Sequence, residues 1–266
     1  MIIDFHTHCF PDAIAEKALS KLSEAASFPP STDGTVKCSM EKLKASGIDI
    51  GVVCSIATNA RQLPKVNGFA IDINDLSSNL IALGSAHPDS DELEEELQRL
   101  IDHDIRGIKI HPEYMPYYID APEWDRVFSL CEDMGIFVVT HAGYDFISPD
   151  RIAVTPDRLA KVLDRHQKLT LVAAHLGGNR LWNEVRSILC GRENLYLDTS
   201  VPARYEYDPE MTRDIIYAHG TDKVLFGSDM PWADPKKTLD FIRSLGLSRE
   251  DEEKILGKNA ENLLFS

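Results

Sequence analysis

The sequence predicts an α/β fold, a single TIM-like (β/α)₈ barrel that takes up residues 1–266 as one domain. The chain contains eight short apolar runs, and segments with the 3.6-residue spacing of amphipathic helices separate them. No linker, internal repeat or low-complexity segment marks a domain boundary. Alternating strands and helices also suit a doubly wound sheet, but eight repeats in a chain of this length favour the barrel.

The eight apolar runs are predicted to be parallel strands. Each run is continuous rather than alternating, which is typical of strands covered on both faces. In chain order, the predicted strands are Ile2–His6, Ile50–Ser55, Leu80–His87, Ile105–His111, Ile136–His141, Leu169–His175, Leu195–Ser200 and Lys223–Asp229.

Capping residues and apolar spacing define the clearest helices between the strands. Apolar residues three and four apart predict a helix within Asp91–Asp102. Thr155 before Pro156 predicts a helix that begins there and ends at Arg165. The predicted helices at the two ends of the chain are Ala13–Ala26 and a last helix that Ser248 caps and that reaches Leu264.

Two segments depart from this regular alternation. Residues 28–38 are predicted to be a loop insertion between the first helix and a short second one. Within residues 58–79, Pro64 and Gly68 interrupt the helical pattern, so a continuous helix is not expected there.

Composition excludes several classes of protein. A hydrophobic share of 43% is too high for a disordered chain, and a net charge of −15 disfavours binding to nucleic acid or to anionic membranes. No window is apolar enough for a membrane span, and no signal peptide is recognisable. The five cysteines lack a C-x-x-C pair, which predicts buried free thiols. We therefore expect a cytoplasmic protein.

Histidines cluster at the predicted strand ends. Since the carboxyl ends of barrel strands meet on one face, where active sites form, these side chains are expected to converge. Asp229 ends the eighth strand at the same face. The remaining histidines, His103, His166 and His219, lie near helix C-termini, where a structural role suffices. The six strand-end histidines are His6, His8, His87, His111, His141 and His175, of which His87 is as readily a packing residue.

Imidazole and carboxylate ligands without a thiolate predict a metal site. Two residues apart on one strand, His6 and His8 point to the same side and can bind one ion. With His141 and Asp229 as further ligands, the set suits zinc best, and manganese, iron or cobalt are the alternatives. A coordination position left for water marks a catalytic site, with Asp229 as the proton acceptor. His175 can polarise a substrate oxygen or carry a proton.

Six motifs resemble the amidohydrolase superfamily. In chain order they are MIIDFHTH, GIKIHP, FVVTHAG, AHLGGNRLW, LYLDTS and LFGSDMPW, and they cover nearly the whole chain. The resemblance is closest to the amidohydrolase-related branch, which includes aminocarboxymuconate-semialdehyde and resorcylate decarboxylases. It implies a distorted barrel with His6, His8, His141 and Asp229 as metal ligands. It also implies that His175 is catalytic beside one ion, or a ligand where there are two.

The fourth predicted strand carries two further candidates, Lys109 and His111. Together with His175 of the sixth strand, they could bind a second metal ion or the substrate. Some binuclear members of the superfamily use a carboxylated lysine from this strand as a bridge, and Lys109 matches that position. The alternative for Lys109 is an internal ion pair. We expect one ion rather than two.

Weaker candidates for substrate binding are Arg180, which can hold a carboxylate, and Trp232, whose alternative is plain packing. The loops after the strands are brief. The substrate is therefore expected to be a small molecule, or a second subunit of a homo-oligomer covers the pocket.

Two enzymatic functions and one other are consistent with these residues. We favour a metal-dependent hydrolase that uses activated water on a small amide, ester or lactone. The alternative is a metal-dependent, non-oxidative decarboxylase of a small carboxylic acid, aromatic acids included. A non-catalytic metal-binding barrel is the minor alternative. Such a protein needs neither an open coordination position nor a nearby proton acceptor, and this site is predicted to have both.

Overall fold

A computed structural model describes residues 1–26, 29–200 and 207–265. Eight parallel strands follow one another in chain order around a nearly closed barrel, which confirms the predicted fold class. The strands are β1 (Ile3–Thr7), β2 (Ile50–Cys54), β3 (Leu80–Ser85), β4 (Gly107–Ile110), β5 (Phe137–Thr140), β6 (Leu171–Ala173), β7 (Leu195–Asp198) and β8 (Val224–Leu225).

Backbone hydrogen bonds between β1 and the residues that follow β8 close the barrel. Phe5 N donates to Phe226 O at 2.7 Å, and Asp229 N donates to His6 O at 2.8 Å. Gly227 allows this approach, because a Cβ atom there would lie 2.9 Å from His6 Cβ. Closure therefore places the end of the chain's last strand beside the histidines of its first.

Helices connect the strands on the outside of the barrel. Two of them continue through π-helical turns, Val185–Leu189 after α7 and Lys254–Lys258 between α10 and α11. The described α-helices are α1 (Asp12–Ala26), α2 (Val36–Ala45), α3 (Leu63–Leu76), α4 (Leu93–Asp102), α5 (Asp125–Met134), α6 (Pro156–Arg165), α7 (Trp182–Glu184), α8 (Pro209–His219), α9 (Pro235–Ser244), α10 (Arg249–Glu253) and α11 (Asn259–Phe265).

Two helices begin where their predicted capping residues, Thr155 and Ser248, place them. The helix predicted to begin at Pro156 does so, although Thr155 donates its hydroxyl hydrogen to Asp157 instead of accepting from the helix backbone. Ser248 caps the last helical segment, since its hydroxyl accepts from Asp251 N at 3.1 Å. The predicted starts are thus confirmed, one of them with a different capping contact.

Two predictions about the connections were wrong. α3 is continuous through Gly68, and Pro64 lies in its first turn, where a helix needs no hydrogen bond from the backbone N–H. The predicted loop over residues 28–38 ends earlier, because α2 begins at Val36 with Thr35 as its cap. Residues 27–28 lie outside the described part of the chain.

The interior of the barrel is apolar only towards the amino ends of its strands. Phe5, Phe137 and Leu225 fill this end, and α11 packs against it through Ala260 and Leu263. A larger apolar layer lies between the sheet and the surrounding helices. Polar side chains therefore occupy the carboxyl ends of the strands.

The cysteines carry no disulfide. All five are free, and Cys9, Cys54 and Cys131 are buried, in agreement with the prediction of buried free thiols for these three. Burial raises the pKa of the Cys9 and Cys54 thiols to about 12, so they remain protonated at neutral pH. Across the described ranges, none of the helices combines the length and hydropathy that crossing a membrane requires.

Candidate active site

A cavity of about 640 Å³ opens at the carboxyl ends of the strands. Predicted site residues on its wall include Lys109, Asp229 and Trp232. His87 is not on the wall; it is buried and accepts a hydrogen bond from Asp89 N at 3.2 Å. Five of the six strand-end histidines do line the cavity: His6, His8, His111, His141 and His175.

Three of the predicted ligands form a compact group at the floor of this cavity. One ligand atom each from His6, His8 and Asp229 lies within 4.8 Å of the others. Asp229 Oδ1 is 3.3 Å from His8 Nε2 and 3.6 Å from His6 Nε2. Two imidazole nitrogens and one carboxylate oxygen thus face a common point.

The outer nitrogens of the two imidazoles have fixed partners. His6 Nδ1 donates to Asp198 Oδ2 at 2.8 Å, and His8 Nδ1 donates to Cys54 O at 2.9 Å. Each donation leaves the lone pair of Nε2 directed towards Asp229. Histidine ligands of metals are typically held in this way by a carboxylate or carbonyl.

Burial sets the charges of this group. It lowers the pKa of His6 to about 4, so the imidazole is neutral at neutral pH. Burial opposes ionisation of Asp229, but the neighbouring imidazoles of His8 and His6 outweigh it and keep the pKa of this carboxyl below its ordinary value. Neutral imidazole and ionised carboxylate are the forms that bind metal, and the group therefore fits a divalent cation.

His141 lies outside this group and pairs with His175 instead. His141 Nδ1 is 3.1 Å from His175 Nε2, and His175 Nδ1 is 3.0 Å from Ser200 O. Because a carbonyl only accepts, His175 carries its proton on Nδ1 and a lone pair on Nε2. The rings of His6 and His175 stack with centroids 5.6 Å apart, so His175 lies directly beside the ligand group.

Two of these residues adopt a backbone conformation that is rare outside glycine. The φ angles are +58° at His175 and +68° at Asp229, both in the left-handed region. Such conformations cost about 1–3 kcal/mol and are concentrated at functional sites. The sixth and eighth strand ends therefore carry strain where the predicted catalytic side chains are.

Lys109 lies within the barrel beside the ligand group. Its side chain is buried, and Nζ is 3.3 Å from His6 Nε2. Within the described ranges, the ammonium has no carboxylate partner that would make the internal ion pair considered above.

A second polar group lines the same cavity. Ligand atoms of His111, His141 and Asp145 lie within 4.8 Å of one another. Burial raises the pKa of Asp145, and it raises the pKa of the neighbouring Glu113 to about 8. Among the residues that the structure describes, the buried atoms here without a hydrogen-bond partner are His111 Nδ1, His141 Nε2, Asp145 Oδ2 and Glu113 Oε2.

Three acidic residues of the site escaped the sequence analysis. The sequence does offer a signal for Asp198, because this residue ends the seventh strand in the same way that histidines end other strands. Burial opposes ionisation of Asp198, but His6 outweighs it and lowers the pKa of this carboxyl. Asp145 and Glu113 lie in loops after strands, where no spacing distinguishes them from solvent-exposed acids. Only the fold shows that they are buried.

The remaining candidates occupy different positions. Arg180 is exposed and stacks on Tyr144, with Cζ 4.3 Å from the ring centroid, rather than lining the cavity. His166 Nδ1 lies 2.9 Å from Glu132 Oε2 and its Nε2 lies 3.3 Å from Asp125 Oδ1, while His219 donates to Leu195 O at 2.9 Å. These are structural contacts, as predicted for both residues. His103 is exposed at the end of α4.

A barrel with imidazoles and carboxylates converging at its strand ends is the arrangement in which TIM-barrel enzymes build active sites. The family profile described as amidohydrolase matches residues 3–265, and the chain therefore belongs to the amidohydrolase family. This confirms the resemblance seen in the motifs. A comparison with curated proteins found no significant match.

Solved structures with the same barrel are distant in sequence. An uncharacterised TIM-barrel protein from Bordetella bronchiseptica is 22% identical with a TM-score of 0.76, covering 99% of this chain and 98% of that one. A 2,6-dihydroxybenzoate decarboxylase from Rhizobium is 17% identical (TM-score 0.69), again covering 99% and 98%. The 5-carboxyvanillate decarboxylase from Sphingomonas paucimobilis is 14% identical (TM-score 0.71; 99% and 98%). These similarities establish the shared fold.

Proposed function

We propose that this protein is a metal-dependent hydrolase that cleaves a small-molecule amide, ester or lactone. The observation that carries the proposal is the group of His6, His8 and Asp229, whose lone pairs face one another beside the ring of His175. Zinc is the proposed ion, with manganese, iron and cobalt as alternatives, because the donors are nitrogen and oxygen without sulfur.

His6, His8 and Asp229 would hold the ion, and His141 is the proposed fourth ligand. A bound ion supplies Lewis acidity and lowers the pKa of water at the cavity floor. The outer contacts to Asp198 and Cys54 O hold the two imidazoles in place for this role.

The proton transfers are assigned to Asp229 and His175. As water adds to the substrate carbonyl carbon, the carboxylate of Asp229 accepts the proton that the water loses. That proton is returned to the leaving nitrogen or oxygen as its bond to carbon breaks. Because Ser200 O fixes the Nδ1 proton of His175, its Nε2, which lies 3.1 Å from His141 Nδ1, is the atom assigned to exchange a proton with the substrate.

Decarboxylation is the second candidate function. Similar barrels named as decarboxylases of 2,6-dihydroxybenzoate and 5-carboxyvanillate favour it. In this reaction His175 or Asp229 would protonate the carbon that loses carbon dioxide. The same residues serve both reactions, so the products must distinguish them.

The test uses zinc- or manganese-loaded protein with small lactones, amides and hydroxybenzoates in ¹⁸O-labelled water. Hydrolysis places the label in the carboxylate product and releases no carbon dioxide. Release of carbon dioxide without incorporation of the label would overturn the hydrolase proposal. Metal binding without either reaction would support the non-catalytic barrel.

Metal content is tested separately. We expect about one equivalent of metal and an unmodified Lys109, and less than about 0.2 equivalents in chelator-free protein would contradict the metal site. Two equivalents with a mass increase of one carbon dioxide under mild ionisation would instead show a carboxylated, bridging Lys109.

A further inference from the structure

The cavity is larger than the ligand groups and a minimal substrate require. Its volume of about 640 Å³ lies in the middle of the range of sites for drug-sized ligands, about 300–1,000 Å³. The prediction of a small substrate rested on the brief loops after the strands. The structure extends the wall in another way, with α1 and α3 standing beside the strand ends.

The cavity face of α1 is apolar where a solvent-facing helix would be polar. Ile14, Ala18 and Leu22 recur every fourth residue and line the cavity, and none of them is buried. Ile14 is 50% exposed. The wall formed by α3 is similar, since Val66 and Phe69 are only partly buried. Apolar surface left open on both walls can be covered by an apolar ligand.

Charge adds a second requirement. Among the described residues that line the cavity, the acids Asp145 and Asp229 belong to the two ligating groups, and Lys109 is buried beside His6. The other two charged residues are Lys21 of α1 and Lys65 of α3, both exposed. Neither has an ion-pair partner within the described ranges. In a protein of net charge −15, two unpaired cations on the walls of one cavity favour an anionic ligand.

We propose that the cavity binds an amphipathic anion, with an apolar segment between α1 and α3 and a terminal anionic group at Lys21 and Lys65. This inference rests on the proposed function, because the substrate's hydrolysable group then lies at His6, His8 and Asp229. The substrate class is an amide, ester or lactone joined to a remote carboxylate or phosphate by an apolar chain.

Binding is measured by calorimetry on metal-loaded protein, without turnover. The probes are linear α,ω-dicarboxylates of increasing length, each compared with the monocarboxylate and the ω-phosphate monocarboxylate of equal length. One length is expected to bind about tenfold more tightly than its monocarboxylate. Relative affinities of the carboxylate and phosphate probes identify the terminal group. Equal affinity of all the probes for the wild type would overturn the proposal.

The variant K21M/K65M removes both charges and keeps the apolar stems of the side chains. It is expected to abolish the preference for a second anionic group and leave monocarboxylate binding within about twofold of wild type. Lys17→Met, one turn earlier on α1 and outside the cavity wall, is the matched control and should retain the preference. A preference that survives in K21M/K65M would place the anion elsewhere and contradict the proposal.

Ile14→Asn tests the apolar segment, and because Ile14 is half exposed the variant is expected to keep the fold. In the wild type each added methylene is expected to strengthen binding by about twofold to fourfold, and the variant should reduce this increment. Neutral lactones separate the two proposals: if they are hydrolysed while no probe shows the preference, only the substrate inference fails. If the probes bind as expected and nothing is hydrolysed, only the proposed function fails.

Discussion

The two ends of the barrel are built from the same strands but carry opposite kinds of side chain. β1 contributes Phe5 to the apolar end and His6 to the ligand group, and β5 begins with Phe137 and is followed by His141. At the amino end these side chains interlock, and α11 covers them. At the carboxyl end, buried polar atoms remain without partners. Stability and chemistry are therefore separated along each strand, and substitutions should affect one without the other.

The largest effect is expected for Asp229→Asn, at the carboxyl end. The change keeps the size of the side chain but removes the charge and the proton acceptor, so kcat/KM should fall by at least about 10³-fold, and metal binding should weaken. Steady-state kinetics and metal analysis measure this, with the midpoint of thermal unfolding as the control. Wild-type activity in a folded variant would contradict the role of Asp229.

His175→Ala should retain metal and lose about 10²- to 10⁴-fold in kcat, because it removes a proton carrier next to the ligand group. His87→Ala is the matched control, since His87 also follows a strand end and is buried, yet lies outside the cavity wall. The control should lose stability rather than turnover. Equal losses of kcat in the two variants would show that His175 acts only through the fold.

At the amino end, Phe137→Ala should lower the free energy of unfolding by about 3–5 kcal/mol. Its ring packs against Phe5, with centroids 6.0 Å apart, and fills the space that Gly107 leaves open. Denaturant unfolding measures the loss, and kcat per folded molecule should remain within a few-fold of wild type. A selective loss of kcat with unchanged stability would contradict the separation of the two ends.

The smallest effect concerns acid stability, through His219. Its Nδ1 accepts from Gly191 N at 3.3 Å while Nε2 donates to Leu195 O, and burial lowers its pKa to about 4. Between pH 6.5 and 4 the unfolded chain binds a proton that the folded protein excludes, so stability falls as pH falls through this range. At pH 5 the loss is about 2 kcal/mol relative to pH 7.

His219→Gln should flatten this pH dependence, because the amide donates to Leu195 O without titrating. Urea unfolding at pH 7 and pH 5 gives the difference in free energy, and His103→Gln, at an exposed position, is the control. An unchanged slope in His219→Gln would assign the acid sensitivity to other groups.

Features set by interactions between residues close in sequence were predictable, and features set by contacts between distant segments were not. The eight strands were predictable because strands covered on both faces need continuous apolar runs. The prediction for residues 58–79 was wrong because packing in the barrel outweighs the local cost of Gly68, about 1 kcal/mol in a helix interior. Glu113 and Asp145 were not predictable, since their burial depends on segments distant in sequence.

The sequence alone therefore determines where the strands end and which side chains stand at those ends, because apolar runs and their alternation with helices are local properties of the chain. The pattern indicated the five imidazoles that line the cavity at the carboxyl end of the barrel, but it did not separate them from His87, which lies off the cavity wall. Which lone pairs face one another depends on closure of β8 against β1, on contacts such as His6 to Asp198, and on the φ angles at His175 and Asp229. The walls of the cavity depend on how α1 and α3 stand above it. These are long-range packing outcomes, and only folding brings their participants together.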